Sequence, residues 1–491
     1  MINRRSVLLG GAAALGTAAC ARPTTAYGNN GRRPLPIPLL IDARRQGKSF
    51  SLRAQPGATF FYPGRSSNTL GYNGGYLGPT IRVHRGDDVS ASVTNALAQN
   101  TTVHWHGLLI AGELDGGPHQ IIHPGETWRP TLPIRQPAAT LLYHSHVHGL
   151  TAEQVYSGLA GALLVSDEEE QGLGLPSEYG VDDLPLLIQD RQFQDGHLVI
   201  PGGMMIAMQG RRGDTILVNG AVSPLAEVPD RLVRLRLVNA SNARIYELSF
   251  SDRRTFHWIG AEGGLLERSV SLRAITLAPG QRAELLVDFT DGKAVSLITG
   301  ADANALIMGG MGMMGDGPGR ANGATAATVL RFDPKTMGPA RASSIVPTLL
   351  ASRTRLDPGA AVRRRSLVLS MGMGGMMGSG GTGVGFAING KAFDIDRIDE
   401  AVKLGTTEIW EVSGEMMRHP FHIHGVHFEV LKRGGRPPDI LDRGPRDTVL
   451  VKEPVELLIR FEQPATKAPF MYHCHILEHE DNGMMGQFRV G

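Results

Sequence analysis

The chain has 491 residues, a formal net charge of +2, 63 glycines and 30 prolines. This length predicts about three domains of roughly 150 residues each, and a net charge so close to zero gives no case for binding nucleic acid or a membrane surface. Stretches with helical periodicity are scarce. Short alternating or β-branched runs between Gly and Pro turns dominate instead, which favours an all-β protein built of sandwiches or barrels.

The N-terminus carries an arginine pair, Arg4-Arg5, and then a short apolar run from Val7 to Ala19. Thirteen mostly small residues are too few to span a bilayer. Residues 1–26 are therefore predicted to be an export signal rather than an anchor. The arginine pair resembles a twin-arginine signal, which exports folded proteins, and it predicts a periplasmic protein.

The chain contains two cysteines, Cys20 and Cys474. Loss of the signal would leave Cys474 alone, so no disulfide framework is possible. A free thiol in an oxidising compartment is a liability unless a metal holds it. Cys20 could instead be a lipidation site. Thr17 stands where a lipoprotein signal usually has leucine, which argues against that alternative.

The remaining chain divides into three similar segments. Domain 1 is predicted at 36–167, domain 2 at 183–333 and domain 3 at 363–491, with linkers between them. The strand pattern of residues 85–95 recurs at 231–241 and 406–413. Three copies at this spacing predict tandem β-sandwiches.

Four motifs hold ten of the 17 histidines: H-W-H-G from 104, Y-H-S-H from 143, R-H-P-F-H-I-H-G from 418 and Y-H-C-H-I-L-E-H from 472. On a strand, H-x-H spacing places both imidazoles on one face. In the last motif, Cys474 would point away from His473 and His475. Two imidazoles, a thiolate and a weak thioether form a blue copper site, and Cys474, His479 and Met484 supply three of these four ligands.

Comparison of the repeats indicates which domain carries which set of predicted metal ligands. Aligning Y-H-S-H with Y-H-C-H places Ser145 opposite Cys474, and aligning H-W-H with H-I-H places Thr101 opposite His419. Domain 1 has thus lost the blue-copper ligands and kept four histidines, whereas domain 2 has neither set. A histidine cluster is predicted where domains 1 and 3 meet.

These motifs resemble those of the multicopper oxidases, especially the laccases and the bacterial periplasmic cuprous oxidases. The resemblance implies three cupredoxin-like domains, four copper ions and the reduction of O₂ to water. It assigns His419, Cys474, His479 and Met484 to a type 1 copper; His104 and His422 to a type 2 copper; His106, His144 and His475 to one type 3 copper; and His146, His424 and His473 to the other. It also implies that Asp115 and Glu480 relay protons.

Eighteen methionines are present, many in glycine-rich runs at 308–314 and 371–377. Flexible thioether-rich loops suit Cu(I), whereas the run at 204–208 fits the usual use of methionine as a core filler. The resemblance places a substrate Cu(I) site at Met371, Glu415 and Met417. The sequence departs from the family pattern for this site at two positions. Glu415 replaces an aspartate, and Met376 stands where a second acidic ligand is expected.

The sequence therefore predicts a monomeric periplasmic oxidase of Cu(I), with activity on phenols and a role in copper tolerance. Within the same class, the alternative is a laccase whose natural substrate is an organic phenol. A copper-storage protein is the alternative from another class, although storage does not require eight ordered histidines.

Overall fold

The computed structural model describes residues 33–305, 326–338, 345–372 and 385–491. The predicted export signal, Cys20, the methionine run at 308–314 and residues 373–377 of the second run lie outside the described residues. Strands dominate the described chain and form six sheets, so the predicted all-β fold is confirmed. We use domain 1, domain 2 and domain 3 for the segments 36–167, 183–333 and 363–491.

Two sheets form from residues 40–166. Their strands are β1 (Leu40–Asp42), β2 (Ser49–Tyr62), β3 (Arg65–Tyr72), β4 (Thr80–His84), β5 (Asp88–Asn95), β6 (His104–His106), β7 (Thr127–Trp128), β8 (Thr131–Pro133), β9 (Ala139–His144) and β10 (Ala160–Ser166). One sheet has the order β1-β4-β10-β9-β6 and the other β3-β2-β5-β7, with β8 also paired to β5. The core between them includes Phe50, Ile81, Trp105 and Tyr143.

Residues 183–335 form the second pair of sheets. Their strands are β11 (Asp183–Gln194), β12 (His197–Val199), β13 (Thr215–Val218), β14 (Ala221–Val222), β15 (Leu225–Pro229), β16 (Leu232–Asn239), β17 (Tyr246–Phe250), β18 (Phe256–Ala261), β19 (Gly264–Leu272), β20 (Ala274–Leu277), β21 (Arg282–Asp288), β22 (Val295–Thr299) and β23 (Ala327–Lys335). The larger sheet runs β14-β13-β11-β16-β21-β18-β19 and the smaller β15-β23-β22-β17-β20.

Residues 361–490 form the third pair. Their strands are β24 (Ala361–Gly372), β25 (Gly385–Ile388), β26 (Glu400–Val402), β27 (Thr407–Gly414), β28 (His419–Ile423), β29 (Phe428–Arg433), β30 (Thr448–Val451), β31 (Val455–Arg460), β32 (Phe470–Cys474) and β33 (Met485–Val490). The sheet orders are β25-β24-β27-β31-β29 and β26-β33-β32-β28-β30. Cys474 and Met484 belong to the core between these sheets.

The repeated sequence segments occupy the same place in each sheet pair. Strands β5, β16 and β27 each pair in parallel with the long strand that opens their segment, β2, β11 and β24 respectively. Each also has an antiparallel neighbour on its other side, which is β7, β21 or β31. The hydrophobic repeats therefore mark structurally equivalent strands.

Short helices between the strands of the described residues include α1 (Thr151–Ser157), α2 (Glu168–Gly172), α3 (Met204–Gln209) and α4 (Leu477–Asp481). Helix α1 of domain 1 packs against α4 of domain 3. The Asp481 carboxylate accepts hydrogen bonds from the first backbone N–H groups of α1, at Thr151 (3.1 Å) and Ala152 (2.8 Å). A carboxylate is a favourable cap for the donors at a helix N-terminus, so domain 3 caps a helix of domain 1.

A buried ionic network joins domains 1 and 2. Glu284 lies 2.9 Å from the Arg234 Nε and 3.2 Å from an Arg236 nitrogen, and it accepts a 2.6 Å hydrogen bond from Thr140 of domain 1. Glu170, in the acidic stretch predicted to be a linker, is buried and reaches both arginines. Part of that stretch is therefore the helix α2, which is held against domain 2.

The described part of the chain has no helix that is both long and apolar enough to cross a membrane.

Candidate metal centre

Three of the predicted type 1 ligands meet inside domain 3. The Cys474 Sγ lies 3.5 Å from the Nδ1 of His419 and 3.5 Å from the Nδ1 of His479. His419 begins strand β28, Cys474 ends β32, and His479 lies on α4. Met484 is fully buried and sits next to this group, because its carbonyl accepts the Cys474 N–H at 3.1 Å.

Backbone carbonyls fix the orientation of both imidazoles. The His419 Nε2 lies 3.0 Å from the Glu415 carbonyl, and the His479 Nε2 lies 2.9 Å from the Met208 carbonyl. A carbonyl only accepts hydrogen bonds, so each Nε2 carries the proton and each Nδ1 presents a lone pair towards the sulfur. Two bare nitrogens facing a thiol suit a soft metal such as copper. Met208 belongs to domain 2, so that domain orients a type 1 ligand.

The other eight histidines converge where domains 1 and 3 meet. Their ligand nitrogens form three groups, each with atoms within 4.8 Å of one another: His104, His106 and His422; His106, His144 and His475; and His146, His424 and His473. The last two groups coincide with the two predicted type 3 sets. The first contains the predicted type 2 pair, whose Nε2 atoms are 3.4 Å apart.

The nitrogens inside this cluster lack protons. His424 donates from Nδ1 to the Asp115 carboxylate at 2.7 Å, and His473 donates from Nδ1 to the Cys474 carbonyl at 3.1 Å. Their Nε2 atoms, 3.2 Å apart, must therefore face each other with lone pairs. Opposed lone pairs buried away from water are unfavourable unless a cation binds them. The arrangement fits bound metal ions.

Other imidazole nitrogens of the cluster also lack a hydrogen-bond partner in the described part of the chain. The His106 Nδ1, the His144 Nε2 and both nitrogens of His475 are buried without a hydrogen-bond partner among the described residues. Burial lowers the pKa of His144 to about 3, with the charge of neighbouring His104 a smaller cause, and lowers the pKa of His475 well below its ordinary value. Neutral imidazoles are the form that binds metals. Burial raises the pKa of the Cys474 thiol, so a metal must displace its proton.

The two predicted proton-relay carboxylates contact the outer edges of the cluster. Asp115 lies 2.7 Å from the Nδ1 of His424 and 3.3 Å from that of His104. Glu480 lies 3.3 Å from the Nδ1 of His146 and 3.2 Å from that of His473. Burial, and then the charge of Asp481, raise the pKa of Glu480 well above its ordinary value. The raised pKa favours the protonated form of this carboxyl group.

A third carboxylate, Asp447, has the same relation to the cluster and was not predicted from the sequence. Its Oδ1 lies 3.0 Å from the His106 Nε2, and its carbonyl lies 2.8 Å from the His422 Nδ1. Arg282 of domain 2 binds both of its oxygens, at 2.8 and 2.6 Å. Outer contacts of this kind orient metal ligands. No sequence motif contains Asp447 together with its partners, because His106 and Arg282 lie far from it along the chain.

Gly280 of domain 2 also abuts the cluster. Its φ is +80°, and a Cβ added there would lie 2.8 Å from the His475 Cδ2 and 3.0 Å from the His106 Cε1. The A-P-G-Q-R turn at 278–282 is the domain 2 counterpart of H-P-G-E in domain 1, so its sequence signal was visible as a repeat. Domain 2 therefore supports the cluster without contributing a histidine.

The domain 1 residues aligned with the type 1 ligands form a closed polar group. The hydroxyls of Thr101 and Ser145 lie 3.3 Å apart, and both donate to the Gln154 Oε1, at 2.8 and 2.6 Å. The pair occupies the positions of His419 and Cys474. Hydrogen bonds therefore satisfy both hydroxyls at the positions where domain 3 has the predicted type 1 ligands.

The predicted substrate residues lie on adjacent segments. In the parallel pairing of β24 with β27, Leu369 is opposite Gly414, so Met371 lies beside the segment that starts at Glu415. Met371 and Met417 are buried in the core that contains Cys474, whereas Glu415 is exposed. Met416 between them is 45% exposed with φ +64°, an uncommon value for a residue other than glycine.

Comparison with known proteins identifies the family. Two family models, both described as multicopper oxidase, match residues 54–170 and 366–491. The multicopper oxidase mco of Staphylococcus aureus is 36% identical over 94% of this chain and 93% of its own length. The chain belongs to the multicopper oxidase family.

Two other relatives of this chain have different descriptions. The cell division protein FtsP of Salmonella typhimurium is 40% identical over 97% of both chains. The laccase-like multicopper oxidase CueO of an Ochrobactrum species is 38% identical, with a TM-score of 0.83 over 93% of this chain and 100% of that one. This match confirms the tandem cupredoxin-like architecture. The multicopper oxidase family binds copper, and the histidine groups of this chain fit copper sites.

Proposed function

We propose that this multicopper oxidase binds four copper ions, oxidises Cu(I) in the periplasm and thereby contributes to copper tolerance, with laccase-like activity on phenols. The ligands would be those assigned above: His419, Cys474, His479 and Met484 for type 1; His104 and His422 for type 2; His106, His144 and His475, and His146, His424 and His473, for the type 3 pair. When bound, these coppers supply one-electron transfer and the four-electron reduction of O₂ to water.

The polypeptide supplies the connection between the two centres. Cys474 is bonded through the backbone to His473 and His475, which belong to the two type 3 sets, so only a few covalent bonds separate the sites. The Cys474 carbonyl also accepts the His473 Nδ1 proton at 3.1 Å. This fixed link suits rapid electron transfer from the type 1 site to the cluster.

Protons for water formation would come through the buried carboxyl groups. Glu480, whose raised pKa favours its protonated form, lies close to the Nδ1 atoms of His146 and His473, and Asp115 contacts His424 and His104. The two groups approach the cluster from different segments of the chain. Donors placed within about 3 Å of the groups they serve are suited to proton transfer.

The observation that carries the Cu(I) assignment is where Met371 and Met417 lie along the chain: Met417 is two residues before His419, and Met371 is on the strand paired with the segment that leads to it. Both are packed into the core that holds Cys474. The exposed Glu415 adjoins them and holds His419 through its carbonyl. Two thioethers with one carboxylate can capture Cu(I), and the site is a short distance from a type 1 imidazole.

The test replaces both thioethers without changing the core volume. Met→Ala would leave cavities that cost about 2–5 kcal/mol each, whereas Met→Leu is nearly isosteric. We expect Met371→Leu with Met417→Leu to raise KM for Cu(I) at least about tenfold, a binding loss of about 1.4 kcal/mol. Phenol oxidation without added copper should change less than about twofold.

Glu415→Gln is the second arm of the test, since Glu415 is exposed and its replacement leaves the core intact. It should raise KM for Cu(I) in the same direction. Equal losses with Cu(I) and with phenol would show that these residues only support the type 1 site. Unchanged Cu(I) kinetics would favour the laccase with an organic substrate, an alternative that the laccase-like CueO, with its oxidase activity towards lignin model compounds, supports.

A second candidate function follows from the 40% identity to the cell division protein FtsP. Expression of this chain in bacteria that lack FtsP tests it: restored division by a Cys474→Ser variant would show a role that needs no oxidase activity. A copper-storage role is opposed by the eight cluster histidines, because the outer nitrogens of most of them are held in one geometry by carbonyls and carboxylates.

A further inference from the structure

Helix α3 is an element of domain 2 that lies against the type 1 site. It spans Met204–Gln209 and packs against helix α4, which carries His479. Met208 packs against the core that contains Cys474, and its carbonyl accepts the His479 Nε2 proton at 2.9 Å. The helix is therefore in direct contact with a type 1 ligand.

The three methionines of this helix share one face. Successive residues of an α-helix are about 100° apart, so Met204, Met208 and Met205 fall within an arc of about 100°. Met208 is the neighbour of Met204 at i, i+4 and of Met205 at i, i+3. Ile206 and Ala207 fall on the rest of the circumference. Three thioethers are thus presented on one side of a short helix.

The exposure of these side chains is not that of core fillers. Met204 is 56% exposed and Met205 is 42% exposed, and no residue of the helix is buried. The expectation that 204–208 fills a core is therefore wrong, because only Met208 packs inward. Large apolar side chains left in solvent next to a functional site indicate a contact surface.

The charges next to the helix do not repel a cation strongly. Arg211 lies 3.2 Å from the Glu478 carboxylate, and Arg212 lies 2.6 Å from that of Asp302. Each guanidinium is offset by a carboxylate. A monovalent soft cation can therefore approach the thioether face.

We infer that Met204, Met205 and Met208 form a second Cu(I)-binding site, which delivers electrons to the type 1 site at His479. This inference rests on the proposed oxidation of Cu(I). Thioether sulfur is a soft ligand that selects Cu(I) over harder cations. A Cu(I) held there would give up one electron and leave as Cu(II), and the hydrogen bond between the Met208 carbonyl and His479 would link it to a residue that would hold the type 1 copper. Four such electrons, with four protons, convert one O₂ to two waters.

The test compares the unchanged enzyme with the triple variant Met204→Leu, Met205→Leu, Met208→Leu. Leucine keeps the apolar volume and the helix propensity, and the Met208 carbonyl remains in place. Ile206→Leu is the matched control, since it adds a leucine to the same helix away from the thioether face. The holoenzymes are fully reduced without oxygen and titrated with Cu(I) against a chromophoric Cu(I) chelator.

We expect the triple variant to bind one Cu(I) fewer per chain than the unchanged enzyme and the Ile206→Leu control. In oxygen-uptake assays its KM for Cu(I) should rise about tenfold. The double variant Met204→Leu, Met205→Leu, which keeps Met208 against the Cys474 core, should raise this KM in the same direction without changing the blue absorption. If the triple variant, the unchanged enzyme and the Ile206→Leu control bind the same number of Cu(I) ions, the proposed site does not exist. If the triple variant binds one Cu(I) fewer but its KM for Cu(I) is unchanged, the site has no role in turnover.

Two further measurements separate the possible failures. Met204→Leu with Met205→Leu changes only exposed side chains, so this variant decides the question if the triple variant does not fold. It should weaken Cu(I) binding while Met208 continues to pack; binding as tight as in the unchanged enzyme would contradict the site. Absence of Cu(I)-dependent oxygen uptake in the unchanged enzyme would refute the proposed function, and the binding titration would still decide whether the site exists.

Discussion

Replacing Gly280 with alanine should damage the histidine cluster and leave the type 1 site intact. The new Cβ would lie 2.8 Å from the His475 Cδ2, 2.9 Å from its Nε2 and 3.0 Å from the His106 Cε1. Favourable carbon–carbon contacts begin at about 3.5 Å, so the imidazoles must shift by roughly 0.5 Å or more. Metal and catalytic sites tolerate displacements of about 0.5 Å.

The size of the effect follows from that displacement. Misplacing a reacting group by about 1 Å costs roughly 100-fold in rate, so we expect a decrease in kcat of about 10- to 100-fold. The loss should be the same with Cu(I) and with a phenol, because both substrates use the same cluster. Without oxygen, a donor should still bleach the blue absorption of the variant, since Cys474, His419 and His479 do not contact Gly280.

Gly125 provides a matched control. It is the counterpart of Gly280 in the H-P-G-E turn, its φ is +84°, and an added Cβ would have no neighbour within 4 Å. Alanine at either position costs about 1–2 kcal/mol for the left-handed backbone, but only Gly280→Ala meets the histidines. Oxygen uptake and copper content are measured for both variants. Equal activities, or equal losses, would refute the reasoning.

Three further outcomes are expected. Cys474→Ser should abolish the blue absorption and oxidase activity while the Tm stays close to that of copper-free enzyme; persistent blue colour would contradict the type 1 assignment. Arg282→Lys should lower activity about 10- to 100-fold and alter the electron paramagnetic resonance of type 2 copper, because lysine cannot bind both oxygens of Asp447; an unaltered spectrum would count against the positioning of His106 and His422. Burial alone would raise the pKa of Glu284, but the charges of its arginine partners lower it to about 2. The stability from this depressed pKa, about 3 kcal/mol, is present above pH 4.5 and is lost as the pH falls towards 2. The Tm gap between the unchanged enzyme and Glu284→Gln should therefore narrow over that range, and a constant gap would rule out the linkage.

The predicted copper ligands could be read from the sequence because most of them lie within a few residues of one another. H-x-H on a strand and the spacing from Cys474 to His479 and Met484 fix local geometry, and the repeats showed which domain lacked which predicted set. The structure brings the predicted histidines and Cys474 into groups, with His104 and His422 in one and the two predicted type 3 sets in others.

The residues around the ligands were not accessible in the same way. Asp447 lies 341 residues from His106, and Met208 acts through a backbone carbonyl that any residue could provide. Such contacts depend on how domains dock, which short-range spacing does not encode. For this reason the sequence indicated no role for domain 2, which lacks the predicted copper ligands. The structure shows that it places Gly280 and the Met208 carbonyl against the histidines, and Arg282 against Asp447.

Arg282 donates to the Thr140 carbonyl of domain 1, to the Gly280 and Glu262 carbonyls of domain 2, and to Asp447 of domain 3. Separation of domain 2 from domain 3 would strand the buried charges of Arg282 and Asp447, which costs about 3–5 kcal/mol. Separation of domain 1 would also leave the Arg282 Nε without the Thr140 carbonyl. The three sandwiches should consequently unfold as a single cooperative unit, with one calorimetric transition instead of three. Copper in the cluster would then be released at the rate of global unfolding and not at the rate of any local opening.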